Sequence, residues 1–558
     1  MQFTHLALAL LTSGALIGAS LGGCSDSDDD CSAGECAPDG GESGTPVGGS
    51  GGRSGGGSGG TTSGGTTGGG TGDVGGEGGD GAASSGGTSG GGGEDGNGTG
   101  GGPARCDRSG SPSADACLVD ERFAVFVAPE GDDAADGTRA EPVATIGHAI
   151  ELAQDQNKIV IACAGVFDER IALDDGLRIY GGFACPGDSG ARRPWTYDEG
   201  TKTTVAPSAR GAALEARDVT KAIVVEDFAF DVLDAVEPGE SSIAAFVVRA
   251  SDVTFRRVTI LAGNGRRGAD GTRAGFVYPT ALDLKGKDGG ASIGGASEFC
   301  TMCPGTFRSR PGSGGDPTND NGGEGQPIYD DDEEEGPHEG GGGVAASACD
   351  AGGTGLRGAQ GFFGSSAVGA VSLGTLTTAR WFPAPGSDGF DGFPGQGGGG
   401  GAGKPGGGGG SGGCGGCAGR GGGGGQGGGA SIGLVAIDSS IALEHSEIRA
   451  AQAGAAGAGA PGQTGQAPGG VGGIGFGSGS DRGCNGGFGG PGGDGGPGGG
   501  GAGGISVGIL YSGEAPALGD LNTITPGLPG AKGVGGGSRG EAGIDGVARE
   551  TLRIDAAS

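Results

Sequence analysis

Three stretches hold the residue types that acid–base and nucleophilic chemistry require. Glu226-Asp227-Phe228-Ala229-Phe230-Asp231 places carboxylates on either side of an alternating apolar run, and Arg256-Arg257 and Arg266-Arg267 offer cations to a bound carboxylate. Paired carboxylates with an arginine suit proton abstraction or ester cleavage. The same alternation makes 226–231 a plain strand with Phe228 and Phe230 on one face, and the arginines read as well as surface cations beside acidic neighbours. His148 and His445 stand singly among four histidines, so no metal cluster is expected. Asp330 to Glu335 (D-D-D-E-E-E) lacks the spaced ligands and internal turn glycine of a calcium loop and reads as solvated. Gly398 to Pro405 mimics a phosphate loop, but Pro405 replaces the metal-binding Ser/Thr and no strand and helix frame it. G-G-x-G-x-D at Gly75–Asp80 and Gly489–Asp494 is not tandem, so a calcium-loaded β-roll is not expected. These readings assign no catalytic residue, no metal and no cofactor.

Thiols are the other reactive groups. Setting Cys24 aside leaves 12 of the 13 cysteines, an even number that suits an oxidising compartment. Cys31/Cys36, Cys106/Cys117 and Cys163/Cys185 are near enough in sequence to pair. The rest fall in two sets, Cys300, Cys303, Cys349 and Cys414, Cys417, Cys484, each with one C-x-x-C. Two such motifs suggest a zinc site, but they sit far apart in glycine-rich sequence. Disulfides that staple loops are the favoured reading. A thioredoxin-like use wants a βαβ frame that is missing.

The N-terminus reads as an address. Leu6 to Ala19 is a short apolar run, followed by Leu21-Gly22-Gly23-Cys24, which resembles a bacterial lipobox with Cys24 as the lipidated residue. Met1 to His5 lacks the Lys or Arg that an export signal normally carries. Residues 1–23 are thus a lipoprotein signal peptide and 24–103 an acidic, then Gly/Ser/Thr-rich, disordered linker. About 80 such residues reach roughly 50 Å. No other run is long enough to span a bilayer. The expected location is the outer membrane or cell surface, with the membrane contacted through the N-terminal lipid.

The elements that must position any site lie in 104–558. Val125 to Val127 and Ile159 to Cys163 read as short buried strands. Between them Ile146, Ala149, Ile150 and Ala153 recur at helical spacing, with Thr145 as the cap. Short β runs continue, and Ser251–Ile260 is echoed by Ser439–Ile448, with strand entries repeated at Gly289–Gly294, Gly428–Gly433 and Gly503–Gly508. Repeats of one strand unit predict a solenoid of about six to eight coils. Ile161, Val224, Val248, Phe255, Leu434 and Leu443 are expected to face its core. Gly supplies 150 residues. Many of them sit in inserts near 263–290, 300–343, 386–429 and 453–503, read as loops that leave the coils. Packed polyglycine helices are the alternative, and collagen is excluded because the three-residue register keeps breaking.

Val127-Ala128-Pro129, Asp136-Gly137-Thr138, Thr145-Ile146, Gly165-Val166-Phe167 and Ile179-Tyr180-Gly181-Gly182-Phe183 resemble the entry segment of right-handed parallel β-helix proteins of the pectin-lyase-like superfamily. Within it, the chain is similar to Gly-rich, lipid-anchored bacterial surface proteins. The resemblance implies an all-β right-handed parallel β-helix with an N-terminal capping helix and long Gly-rich loop insertions. Glu226-Asp227-Phe228-Ala229-Phe230-Asp231 faintly resembles a pectin methylesterase strand, without that family's companion motif. A structural or adhesive surface role, with polysaccharide or envelope glycans as partners, ranks ahead of a lyase or esterase acting on acidic glycans. A net charge of -33 argues against nucleic acid.

Overall fold

The computed structural model describes residues 106–184, 195–318, 320–329 and 338–557. Cys24, Cys31, Cys36, Cys185, the linker and the acidic run from Asp330 lie outside the described residues.

Short strands rich in Val, Ile and Phe stack into three parallel sheets of seven, six and six strands. Successive strands along the chain visit the three sheets in rotation, as in a parallel β-helix. Ile223–Glu226, Phe228–Asp231 and Ser242–Val248 make one turn, and Val253–Arg256 and Thr259–Leu261 begin the next. The repeat seen in sequence is the register itself, with Val253 opposite Ile441, Phe255 opposite Leu443 and Ile260 opposite Ile448. Inside the turns lies a core of Ile, Val, Leu and Phe that includes Phe228, Phe230, Phe255, Leu434 and Leu443.

Alternation decides which side each residue takes. In Ile223–Glu226 the residues that join the core are Ile223 and Val225, so Val224 points out and is only partly buried, contrary to the expectation that it faces the core. Ile161 and Val248 are fully buried but on the outer faces of their sheets. Ile161 packs beside Phe126 and Trp195, and Val248 beside Leu376 and Trp381. Both belong to outer clusters separate from the one inside the turns.

The helix Ile146–Gln156 closes the first turns. Thr145 accepts from the His148 N–H, Asn157 ends the helix in the left-handed region at φ 51°, and Ile146, Ala149, Ile150 and Ala153 are all buried. Glu169 reaches in from the next turn and accepts from the N–H groups of Ile146 and Gly147 at 2.7 and 2.9 Å, which satisfies two helix-end donors.

All the long inserts leave after a strand of the third sheet and return to the second. The exits follow Thr259–Leu261, Glu447–Arg449 and Thr523–Thr525, and the returns are Ser431–Ile437, Ser506–Ser512 and Ala548–Arg553. Registers run straight across the gaps, with Ile243 opposite Ile432 and Val435 opposite Leu510. One shared corner therefore delivers every insert to the same flank.

There the inserts are ordered, against the loop reading. Gly386, Gly389, Gly392, Gly395, Gly398 and Gly401 donate to the carbonyls of Gly425, Gly422, Gly419, Gly416, Gly413 and Gly410. Donors spaced by three with no bonds inside a segment define polyproline II helices, here antiparallel. At the centre, Gly398, Gly399 and Gly400 donate in turn to Gly413, Leu356 and Gly323, and accept from Gly312, Gly487 and Gly343. One helix thus has six neighbours. A Cβ at Gly398, Gly399 or Gly400 would lie 2.2, 1.9 or 1.8 Å from a neighbouring carbonyl oxygen, so the centre needs glycine at every position. An outer helix such as Gly386-Ser387-Asp388-Gly389-Phe390-Asp391 needs it only at every third. The broken collagen register marks the change from outer to central helix.

Candidate functional site

The carboxylates and arginines singled out in sequence do meet, at a corner between the first and third sheets. Register sets Arg256 between Glu226 and Glu444. Asp227 and Arg257 follow at the turn itself, both left-handed at φ 60° and 53°. Arg257 grips Asp227 with Nε and Nη2 at 2.8 Å each and reaches Glu226 at 2.9 Å. Arg256 bonds Glu226 at 2.5 Å and Glu444 at 2.6 Å. Ser111 donates at 2.6 Å to the same Glu226 Oε2 that Arg257 reaches, from a segment tied down by Cys106–Cys117. Lys202 donates to the Arg257 carbonyl.

Every polar group in this corner is engaged by another. The hydrogen bonds it donates to Asp227 push the Arg257 guanidinium above its ordinary value. The bond from Arg256 holds the Glu444 carboxyl below the usual range. Burial pushes the Tyr197 phenol up to about 12. Asp231 is exposed at the far end of Phe228–Asp231, and four residue steps along the strand put it roughly 13 Å from Asp227. That is no working carboxylate pair. The strand reading of 226–231 holds, and the cluster is a lock between coils. Arg267 pairs with Asp270 at 2.5 Å. His148 lies 3.4 Å from Glu151, and His445 is exposed at the turn beside Arg257. Among the described residues no group of three or more His, Cys, Asp or Glu side chains is placed to hold a metal.

The cysteine sets resolve into cross-links between helices of the bundle. Cys300 joins Cys414, Cys303 joins Cys417 and Cys349 joins Cys484. Cys414 and Cys417 lie one three-residue step apart in an extended helix, and Cys300 and Cys303, at a turn of the 300–311 loop, meet them in order. Cys163 is disulfide-bonded as well. The first two bridges each close 114 residues of chain and sit one turn apart. With one intact, the second closes only a few further residues. Cys303→Ala/Cys417→Ala is therefore expected to cost only about 2 kcal/mol, less than half of what losing both bridges costs, about 5 kcal/mol or more, read by urea unfolding.

These bridges hold the 300–311 loop over the bundle, and with it Phe307. Outer helices send two residues of each three into solvent, and here these are aromatic. Phe393 donates from its backbone to the Phe362 carbonyl across two antiparallel helices. Their rings join Phe307 and Tyr329 in one row, with centroid separations of 5.0 Å (Phe307–Phe393), 6.3 Å (Phe393–Phe362) and 4.7 Å (Phe362–Tyr329). Beside it runs a channel of about 550 Å³ lined by Phe307, Phe390, Phe393, Ser365, Asp391 and Arg420. Phe390 is 67% exposed and Phe307 63%. Arg420 and Asp391 pair across the channel at 3.0 Å. Apolar walls with a few fixed polar groups suit a flat amphipathic ligand. Sequence reasoning passed over this site because its residues lie in stretches read as loops. The signal was present in Gly361-Phe362-Phe363-Gly364 and Gly389-Phe390-Asp391-Gly392-Phe393, glycine at every third position with aromatics between.

No family model matches the chain, and no curated protein does. Among solved structures it has a slight likeness to a rhamnogalacturonan lyase, at 15% identity and a TM-score of 0.14, over 25% of this chain. The match spans 36% of that lyase. A likeness of this size carries no argument about activity.

Proposed function

We propose that the protein is an exported, lipid-anchored surface protein whose folded part binds glycans on the bundle's aromatic channel without turning them over. The carrying observation is the row of four aromatic rings on a scaffold fixed by hydrogen bonds and disulfides. Sugar rings present flat C–H faces to such rings, and the exposed edge of the Arg420–Asp391 pair faces the same channel for hydroxyls. Cys24 is the anchor in this reading, and the coils are right-handed, the hand that connections between parallel strands of one sheet adopt. The locked state of Glu226, Asp227 and Arg257 supports binding over the lyase or esterase alternative.

Binding of neutral and acidic polysaccharides to the purified chain tests this directly. Phe307→Ala with Phe390→Ala is expected to weaken the bound glycan at least about tenfold, the loss of roughly 1.4 kcal/mol. Release of unsaturated product, reducing ends or methanol from any of them would overturn the reading. Cys24→Ala is expected to move the protein from the membrane to the soluble fraction, and a wild-type chain without acyl mass would remove the anchor.

A further inference from the structure

A second channel abuts the aromatic one. Its volume is about 780 Å³, and its lining includes Thr272, Ser387, Asp388, Gly424 and Gln426. Both channels follow the seam where Gly386, Gly389 and Gly392 donate to Gly425, Gly422 and Gly419. Pro385 to Asp388 line the second channel and Gly389 to Pro394 the aromatic one, so the two linings meet at neighbouring residues. At about 3.1 Å per residue, Pro385 to Pro394 runs roughly 28 Å, the length of about five sugar rings in a chain.

The second channel is built of fixed polar groups. Gly423 and Gln426 donate from the backbone to the carbonyls of Thr272 and Ala269, and the Ala269 N–H bonds Gln426 Oε1 at 3.2 Å. Asp270 accepts from the Ala458 N–H at 2.8 Å and from Arg267 at 2.5 Å. On the facing wall, Asp388 Oδ1 accepts from the Gly424 N–H at 2.7 Å, and its other oxygen has no donor among the described residues. The side chains of Thr272 and Ser387 are exposed. This set of oxygens suits hydroxyl donors. The charge is one-sided. Among the described residues that line the two channels, Asp270, Asp388 and Asp391 are carboxylates and Arg420 is the one cation, already paired with Asp391 at 3.0 Å.

We propose that the two channels form one groove for a linear, uncharged polysaccharide, with ring faces on the aromatic half and hydroxyls on the polar half. The proposal rests on the glycan reading of the aromatic channel and adds the length and charge of the ligand. The sugar lies on the side chains of Asp388 and Asp391, not on the backbone beneath them. A chain with a carboxylate on each sugar meets Asp270 and Asp388 with no unpaired cation to receive it, and the net charge of -33 repels it before contact. A neutral chain meets neither obstacle.

The probes are neutral tri- and hexasaccharides of β-1,4-linked glucose and mannose, with hexagalacturonate as the acidic counterpart, titrated calorimetrically into the full chain. A neutral hexasaccharide is expected to bind at least about tenfold more tightly than its trisaccharide, and at least about tenfold more tightly than hexagalacturonate. Thr272→Trp, on the wall of the second channel, is expected to bring the hexasaccharide down to the level of the trisaccharide. Asp388→Asn keeps an acceptor for Gly424 and removes the charge, and is expected to strengthen hexagalacturonate binding about threefold or more. Equal affinity for the two neutral lengths, or undiminished hexasaccharide binding to Thr272→Trp, would overturn the single groove and leave the glycan reading standing. Hexagalacturonate bound as tightly as the neutral hexasaccharides would overturn the charge selection. Binding of none of these sugars would overturn the glycan reading together with the groove.

Discussion

Gly400→Ala is expected to cost about 3 kcal/mol, the upper end of the usual range for overpacking a filled interior. The added methyl would sit 1.8 Å from the Ser313 oxygen, and that oxygen belongs to backbone that is itself bonded on both sides. No side chain can rotate away, so whole helices must part. Gly275→Ala is the control. Nothing lies within 4 Å of its Cβ, and restricting the unfolded chain there should be neutral or stabilise by about 0.4–1 kcal/mol. Urea unfolding of the two variants against wild type measures the contrast. Similar midpoints would show that the glycine helices contribute no packed interior. By the same argument, deleting 397–413 removes the centre of the bundle. It should be among the most damaging changes to the chain, where a loop reading makes it harmless.

Arg257→Met is expected to destabilise by about 3–5 kcal/mol, since it strands carboxylates that only charged partners make tolerable underground. The Asp227 side chain is 3% exposed and that of Glu226 1%. Glu226 keeps Arg256 and Ser111, but Asp227 loses both N–H donors of Arg257. Asp227→Asn combined with Arg257→Met should recover part of the loss, as coupled neighbours do. Asp231→Asn, at an exposed strand end, should stay within about 0.5 kcal/mol. If Arg257→Met left the unfolding midpoint unchanged, the cluster would not be a lock and a chemical role would return.

The coils were legible in sequence because each carries its own signal. Thr145 and the Ile146–Ala153 spacing marked the helix, and Val253/Ile441 with Phe255/Leu443 marked the stacking. Parity was harder. In Ile223-Val224-Val225 three apolar residues run together, and nothing local says which one points out. Val248 and Ile161 are apolar because a second layer covers their sheets, which a single repeat unit does not disclose. The bundle was least legible. Its elements have no apolar period, and its hydrogen bonds join residues far apart, Gly410 to Cys484 or Gly399 to Leu356. The cysteines were the best clue, because Cys414 and Cys417 stand three residues apart and glycines repeat at that spacing on either side.

The all-glycine interior also shapes how the protein responds to temperature. Heat capacity rises on unfolding when apolar surface meets water and falls when polar surface does. The coils bury Val, Ile and Phe, so their share follows the ordinary curved profile. The bundle buries amides instead, and its opening adds little or even subtracts. Its hold therefore rests on hydrogen-bond enthalpy and fades less in the cold than a hydrophobic core does. Calorimetry of the whole chain should give a heat-capacity increment per residue below that of globular domains, and a stability curve flattened on its low-temperature side.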